Sequence, residues 1–279
     1  MQPFKRLLRK IRSVRQYPAL AFGARDRREL WLLGLVRNRV FGARAARLLL
    51  GDRRLITPRL ALTRGEKVRV QLDRLDQVDV FDEIFLTRIY DVDAVDFAPA
   101  LVVDCGAYCG YFSALAAGAF PRSRIVCFEA NPANLPVLEA QLALLVAKVE
   151  LRAEAVYVLD GTMAFSGGGI GGGLVEPDDP LSLRRVACID FPRWLRESSP
   201  TSLVLKLDVE GAEAGLLPAT LDCLPRRTTF FLETHHTDAV CEALLAPYRE
   251  AGFDVREIRR RPAKDESFSY IEWLLTRKE

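Results

Sequence analysis

The sequence predicts an α/β fold: a doubly wound parallel sheet of seven strands that closes in an antiparallel hairpin, behind an N-terminal helical extension. Three observations predict it. From residue 100 onward, short apolar runs alternate with helix-length segments, the rhythm of parallel strands covered by helices on both faces. The first of those runs ends in an acid that glycines follow at once. The last two strand-like runs lie too close together for a crossover helix, so they must pair antiparallel.

Residues 1–65 form the extension and 66–279 the main domain. In the extension, Phe4, Leu7, Leu8, Ile11 and Val14 recur at helical spacing, with Lys5, Arg6, Arg9, Lys10 and Arg12 elsewhere around the helix. Further helical stretches cover 30–36 and 43–50. Residues 67–72 (KVRVQL) alternate as a strand does, and 79–90 read as an amphipathic helix. Strands then follow at 101–104, 124–129, 149–156, 202–208 and 228–233. Helices at 111–120, 131–147, 212–221 and 238–252 separate them; Pro132 sits near a first turn and Gly252 closes the last helix. Residues 253–260 and 268–277 make the hairpin. The glycine run at 166–173 (SGGGIGGG) lacks the strand and the Lys-Ser/Thr of a phosphate cradle, and reads as a flexible loop near the active edge of the sheet.

Composition bounds the function. The balance of 49% hydrophobic and 28% charged residues is that of a globular chain. The net charge of +3 hides an asymmetry: residues 1–60 carry 16 Lys/Arg against 3 Asp/Glu, and the remainder 24 against 34. The basic arm is expected to pack as a helical cap with a solvated face; contact of residues 1–15 with a membrane surface or a polyanion is the alternative. No stretch of ~18 apolar residues predicts a membrane-spanning helix, and no secretory leader is recognisable. Six cysteines without CxxC spacing read as reduced and buried, which points to the cytoplasm.

The segment 101–112 (LVVDCGAYCGYF) carries the most information. A buried strand ends in Asp104, and Gly106 and Gly110 let the backbone turn sharply beside a ligand. The spacing is D-x-G-x-x-x-G. Tyr108 stands where a dinucleotide fingerprint needs its second glycine, so a pyrophosphate is disfavoured. Glu129 ends the next strand, where an acid accepts hydrogen bonds from ribose hydroxyls. Asp104 is placed to hold an ammonium group. Ribose plus ammonium without pyrophosphate describes S-adenosylmethionine.

These pieces, VVDCGAYCGYF, IVCFEANP, LVLKLDVEGAE and FFLETHH, resemble the FkbM family of S-adenosylmethionine-dependent methyltransferases over roughly residues 80–260, with KLDVEGAE the most specific. The resemblance implies a class I methyltransferase, Rossmann-like sheet and methylation of a hydroxyl oxygen. It places Asp104, Gly106 and Gly110 at the methionine end, Glu129 on the ribose and Asn131 beside the adenosine, with Tyr108 counted among the cofactor-binding residues. Tyr108 replaces the usual Asn and Ala130 the usual Pro.

Lys206 and Asp208 share one face of the fourth strand, and charges inside an apolar strand are costly unless paired or used. Asp208 is expected to face the acceptor, with Lys206 and Glu210 beside it. Glu213 opens the next helix, where its charge complements the dipole. Glu233 ends the fifth strand, and His235 follows as the expected general base, since an ordinary imidazole titrates near neutrality. Asp208, Glu210, Glu233 and His235 could gather a divalent cation, but nothing in the spacing demands one, and no metal is expected. The helix at 79–90 and the glycine loop are expected to close over the acceptor. That acceptor is expected to be a small molecule or a glycan. A carboxyl- or N-methyltransferase on the same fold, a binding subunit with a degenerate pocket, and a nucleic-acid enzyme using the basic arm are the alternatives. Against the last, the arm has few aromatics, and Asp208-Val209-Glu210-Gly211 stands where a base-methylating motif would be. Oligomeric state is not legible.

Overall fold

A computed structural model describes residues 13–37, 57–62, 67–72, 76–167, 173–175, 182–262 and 269–277. The stripe at Phe4, Leu7, Leu8 and Ile11, the helix at 43–50 and the core of the glycine run lie outside these residues.

Thirteen strands are described: β1 (Arg59–Leu60), β2 (Val68–Arg69), β3 (Leu101–Cys105), β4 (Arg124–Phe128), β5 (Val149–Arg152), β6 (Ala155–Tyr157), β7 (Gly161–Ser166), β8 (Gly173–Val175), β9 (Ser182–Asp190), β10 (Ser202–Leu207), β11 (Arg227–His236), β12 (Asp254–Pro262) and β13 (Ser269–Arg277). Seven of them form one sheet in the order β12-β13-β11-β10-β3-β4-β5. β10, β11, β3, β4 and β5 run parallel, and β13 inserts antiparallel between β11 and β12. This is the seven-stranded, mostly parallel sheet that the sequence predicts, with its reversed hairpin at one edge.

Alternation along each strand feeds two cores, because both faces of a parallel sheet are covered. Val102, Ile125, Val204, Phe231 and Leu274 point to one face, against helix α3 (Tyr111–Ala119) and the N-terminal elements. Leu101, Val103, Leu203, Leu205 and Phe230 point to the other. There they meet α5 (Phe191–Ser198), α6 (Glu213–Thr220) and α7 (Asp238–Glu250).

The extension contributes α1 (Ala24–Arg37), which packs on the domain through buried Leu30 and Leu33. Tyr17 stacks on Phe81 with ring centroids 6.2 Å apart and donates to Asp82 at 2.5 Å. Arg37 pairs with Asp79 and Asp82, so this basic residue meets acids of the domain.

The chain departs from the expected pattern in three places. The helix expected at 79–90 is α2 (Asp76–Phe81), continued by a wider π-helical turn at Asp82–Thr87 and ended by Arg88 in the left-handed region at φ 57°. The strand expected at 149–156 breaks in two: β5 stays in the main sheet, whereas β6 joins a second sheet in the order β6-β9-β7-β8. That sheet and α5 were not legible as an insertion, because β7 and β9 are broken by polar and charged residues and lack clean alternation. Helix α4 (Leu135–Leu142) is shorter than the expected 131–147.

Candidate active site

The order of strands reverses direction between β3 and β10, and loops after neighbouring strands part there to leave a crevice. A cavity of about 300 Å³ occupies it, walled by the loops after β3, β4, β10 and β11.

One half is built by the loop after β3. Gly106 N and Ala107 N donate to Phe128 O at 3.0 and 2.9 Å, tying this loop to the end of β4. Gly106 has φ +78°, and a Cβ there would lie 1.9 Å from Asp208 O, so only glycine lets the loops after β3 and β10 meet. Glu129 closes this half. Its Oε2 accepts from Tyr108 N at 2.7 Å; its Oε1 accepts from Asn131 N at 2.8 Å and Asn134 Nδ2 at 3.2 Å. Burial lifts its pKa, and those donors pull the other way. Beside it lies an apolar slot formed by Ala130, Ala155, Val156 and Phe165. Tyr108 takes the left-handed region at φ 48°, and its hydroxyl donates to Asp76 at 2.8 Å.

Three expected cofactor residues stand behind the wall. Asp104 is fully buried: Ser113 donates to it from its backbone N–H at 3.1 Å and its hydroxyl at 2.7 Å, and Lys206 Nζ lies 3.5 Å away. Parallel register sets Lys206 beside Asp104. Asp104 therefore serves the strand interior, not an ammonium group in the cavity. Gly110 caps α3 at φ +78° against Leu138. Asn131 is buried and holds the Glu129 loop, its Oδ1 accepting from Ala133 N at 3.1 Å. Among the cofactor residues expected from sequence, Gly106, Tyr108 and Glu129 reach the cavity.

The other half is acidic. Lys206 Nζ lies 3.3 Å from Asp208 and donates to Cys105 O at 3.2 Å and Gly106 O at 2.6 Å. Burial opposes its charge, but Asp208 and Asp104 outweigh burial and push its pKa up. Lys206 is thus a positive bracket between β3 and β10. Glu210 sits at φ 51°, and Gly173 of β8 packs so closely that a Cβ there would lie 2.6 Å from Glu210 O.

His235 lies among four carboxylates. Its Nδ1 is 2.9 Å from Glu213 Oε1, and its Nε2 is 3.5 Å from Glu210, 3.9 Å from Asp208 and 3.9 Å from Glu233. Burial disfavours the imidazolium, but the Glu213 hydrogen bond and the surrounding charges outweigh it, raising His235 to about 10. Glu213 is correspondingly held at about 2, since the His235 hydrogen bond and the nearby His236 ring outweigh its burial. Burial, reinforced by Asp208, lifts Glu210 to about 7 and Glu233 to about 8. In this ligand-free state the surrounding carboxylates favour the imidazolium form of His235, which runs against the expected role as general base.

Two groups escaped the sequence reading. Arg261 of β12 reaches the cavity, 2.8 Å from Glu83, 3.1 Å from Glu233 and 3.1 Å from Glu272. Its only signal was a run of three arginines at a strand end. The second sheet supplies Phe165 and Leu174 to the wall. Ile84, Tyr90, Gly173 and Leu174 line the cavity, so the segment after α2 and the end of the glycine run do border it.

No family model matches the chain, and no curated protein does. Solved structures similar to it include a precorrin-6y C5,15-methyltransferase from Geobacter metallireducens, at 16% identity and TM-score 0.41, covering 69% of this chain and 88% of that one. Fibrillarin from Aeropyrum pernix with natively bound S-adenosyl-L-methionine shares 11% identity at TM-score 0.39, over 65% of this chain and 68% of the other. A ribosomal protein L11 methylase from Lactobacillus delbrueckii shares 13% identity at TM-score 0.38, over 69% and 79% of the two chains. Likeness at this level decides nothing about the reaction; the strand order and the cleft stand on their own residues.

Proposed function

We propose that this chain is an S-adenosylmethionine-dependent methyltransferase that acts on a hydroxyl oxygen of a small molecule or glycan. The observation that carries the reading is Glu129 at the end of β4, beside an apolar slot and the Gly106 turn, at the point where the strand order reverses. That donor set fits the cofactor: a carboxylate for two ribose hydroxyls, apolar walls for a purine, and an acidic far half for a positive sulfur. The lining cations Lys206 and Arg261 are held in ion pairs in the far half, which disfavours a pyrophosphate. When bound, the cofactor supplies a methyl group on a sulfonium centre.

The protein's own residues then position the acceptor. Asp208, Glu210 and Glu233 face the far half and orient a hydroxyl by accepting its hydrogen bond. His235 borders the same half. Lys206 fixes Asp208 from below. The described part of the extension packs on the domain, and there Arg37 and Arg59 are paired with acids, which favours a cap over a nucleic-acid arm. Membership of the FkbM family is part of this proposal, supported by the KLDVEGAE segment that builds the far half. So is a cytoplasmic location, supported by six unpaired cysteines. Among the described residues no helix is long and apolar enough to cross a membrane.

The test is incubation of the full chain with methyl-labelled S-adenosylmethionine and fractionated small-molecule and glycan extracts, followed by mass analysis. Label on a hydroxyl oxygen is expected; label on nitrogen or carboxyl, or on nucleic acid, would replace the acceptor assignment.

A further inference from the structure

The far half holds more acid than its neighbours balance, and one buried nitrogen there has no hydrogen-bond partner. Asp208, Glu210 and His235 each offer one donor atom, and the three atoms lie within 4.8 Å of one another. Acids at a strand edge are common without any ion, so the cluster alone would carry nothing. The deciding feature is His235 Nε2. Its side chain is 5% exposed, the atom makes no hydrogen bond, and it points at Asp208, Glu210 and Glu233.

The other ring nitrogen explains the arrangement. His235 Nδ1 faces Glu213 at 2.9 Å, and Glu213 is fully buried at the start of α6. His236 Nε2, 3.3 Å from the second oxygen of Glu213, holds that carboxylate from the far side. A carboxylate behind the distal nitrogen fixes the ring and the tautomer, and an ion that displaces the proton of the other nitrogen takes up its lone pair. Such a ring, with two carboxylates across a gap a little wider than coordination distance, is a three-sided nest open to the cavity.

We propose that Asp208, Glu210 and His235 bind one divalent cation that accepts mixed oxygen and imidazole donors, with Glu213 as the positioning residue behind the imidazole. Mixed donors of this kind suit ions of the manganese type. Three protein donors leave coordination positions for water and for an acceptor oxygen, so the ion would hold the hydroxyl that is to be methylated. The cation also balances the negative charge of Asp208, Glu210 and Glu233 around His235. Its placement at the acceptor rests on the methyltransferase reading; the binding site itself does not.

The experiment titrates MnCl₂ into the EDTA-stripped full chain by calorimetry and records electron spin-echo modulation of the bound ion. One Mn²⁺ per chain is expected, with nitrogen modulation from an imidazole. Glu213→Gln is expected to weaken binding about 10- to 100-fold. His235→Asn is expected to abolish the nitrogen modulation. No binding at millimolar Mn²⁺, binding without nitrogen modulation in the wild type, or unchanged affinity in a folded Glu213→Gln variant would each overturn the proposal. The wild-type signature needs no variant to fold. A parallel titration with S-adenosylmethionine separates the two readings. Cofactor binding without Mn²⁺ binding sinks the cation site and leaves the methyltransferase; Mn²⁺ bound through imidazole without cofactor binding keeps the site and sinks the methyltransferase.

Discussion

Glu129→Ala separates two jobs that one side chain performs. The carboxylate faces the cavity, but in the ligand-free protein it also accepts from Tyr108 N, Asn131 N and Asn134 Nδ2 at 2.7, 2.8 and 3.2 Å. Alanine would strip the acceptor from two backbone N–H groups and one buried amide. Hydrogen bonds to a charged group contribute ~1.5–3 kcal/mol each, and the carboxylate's own burial offsets part of that sum. A net loss of about 2–4 kcal/mol follows for the ligand-free protein. Against a typical stability of ~5–15 kcal/mol this is a large fraction. Urea unfolding without cofactor measures it, as a lower midpoint at unchanged slope. If the variant matches the wild type within ~0.5 kcal/mol, the loop does not depend on Glu129 and the clamp described here is wrong. Weaker cofactor binding by a variant that loses this stability would report the loop as well as the lost ribose contact. Glu129→Gln, which retains one acceptor, is the variant to compare.

Lys206→Met should cost ~3–5 kcal/mol by stranding buried Asp104, and Lys206→Met with Asp104→Asn should cost less than the single change, measured by chemical denaturation as a double-mutant cycle. Gly106→Ala should lose about 2 kcal/mol or more, read in thermal unfolding, because φ +78° and the 1.9 Å approach to Asp208 O both exclude a Cβ. Asp26 anchors Arg59 from α1, accepting from its backbone N–H at 3.0 Å. Burial opposes its charge, but these Arg59 contacts prevail and depress its pKa. Its contribution is therefore present above the ordinary aspartate value and lost as pH falls below it, so Asp26→Asn should cost ~1–3 kcal/mol at pH 7 and the gap should close below about pH 4. A gap that widened on acidification would contradict the pairing.

Much of the sheet was legible because its strands are buried on both faces. Runs such as Leu101–Cys105 and Ser202–Leu207 are continuously buried, and such runs stand out in a sequence. The hairpin was legible from connection length alone. The second sheet was not: its strands mix Gly161, Thr162, Arg184 and Arg185 with apolar residues, and its small core of Ala155, Phe165, Val186 and Cys188 joins strands well separated in the chain. In the site, Glu129 could be placed by strand-end arithmetic. The state of His235 could not, because it depends on Glu213, which lies twenty-two residues earlier in the chain and meets His235 only across the sheet edge. Asp104 shows the complementary failure. A strand-ending acid reads as a ligand group, yet parallel register turns it toward Lys206, and Ser113 on α3 closes it in.

The most direct measurement is a crystal structure of the full chain grown with S-adenosylhomocysteine. The account predicts both ribose hydroxyls on Glu129, the purine against Ala155 and Val156, and the sulfur toward Asp208. A ligand bound elsewhere, or a cleft that stays empty at saturating ligand with Tyr108 still in place, would contradict it.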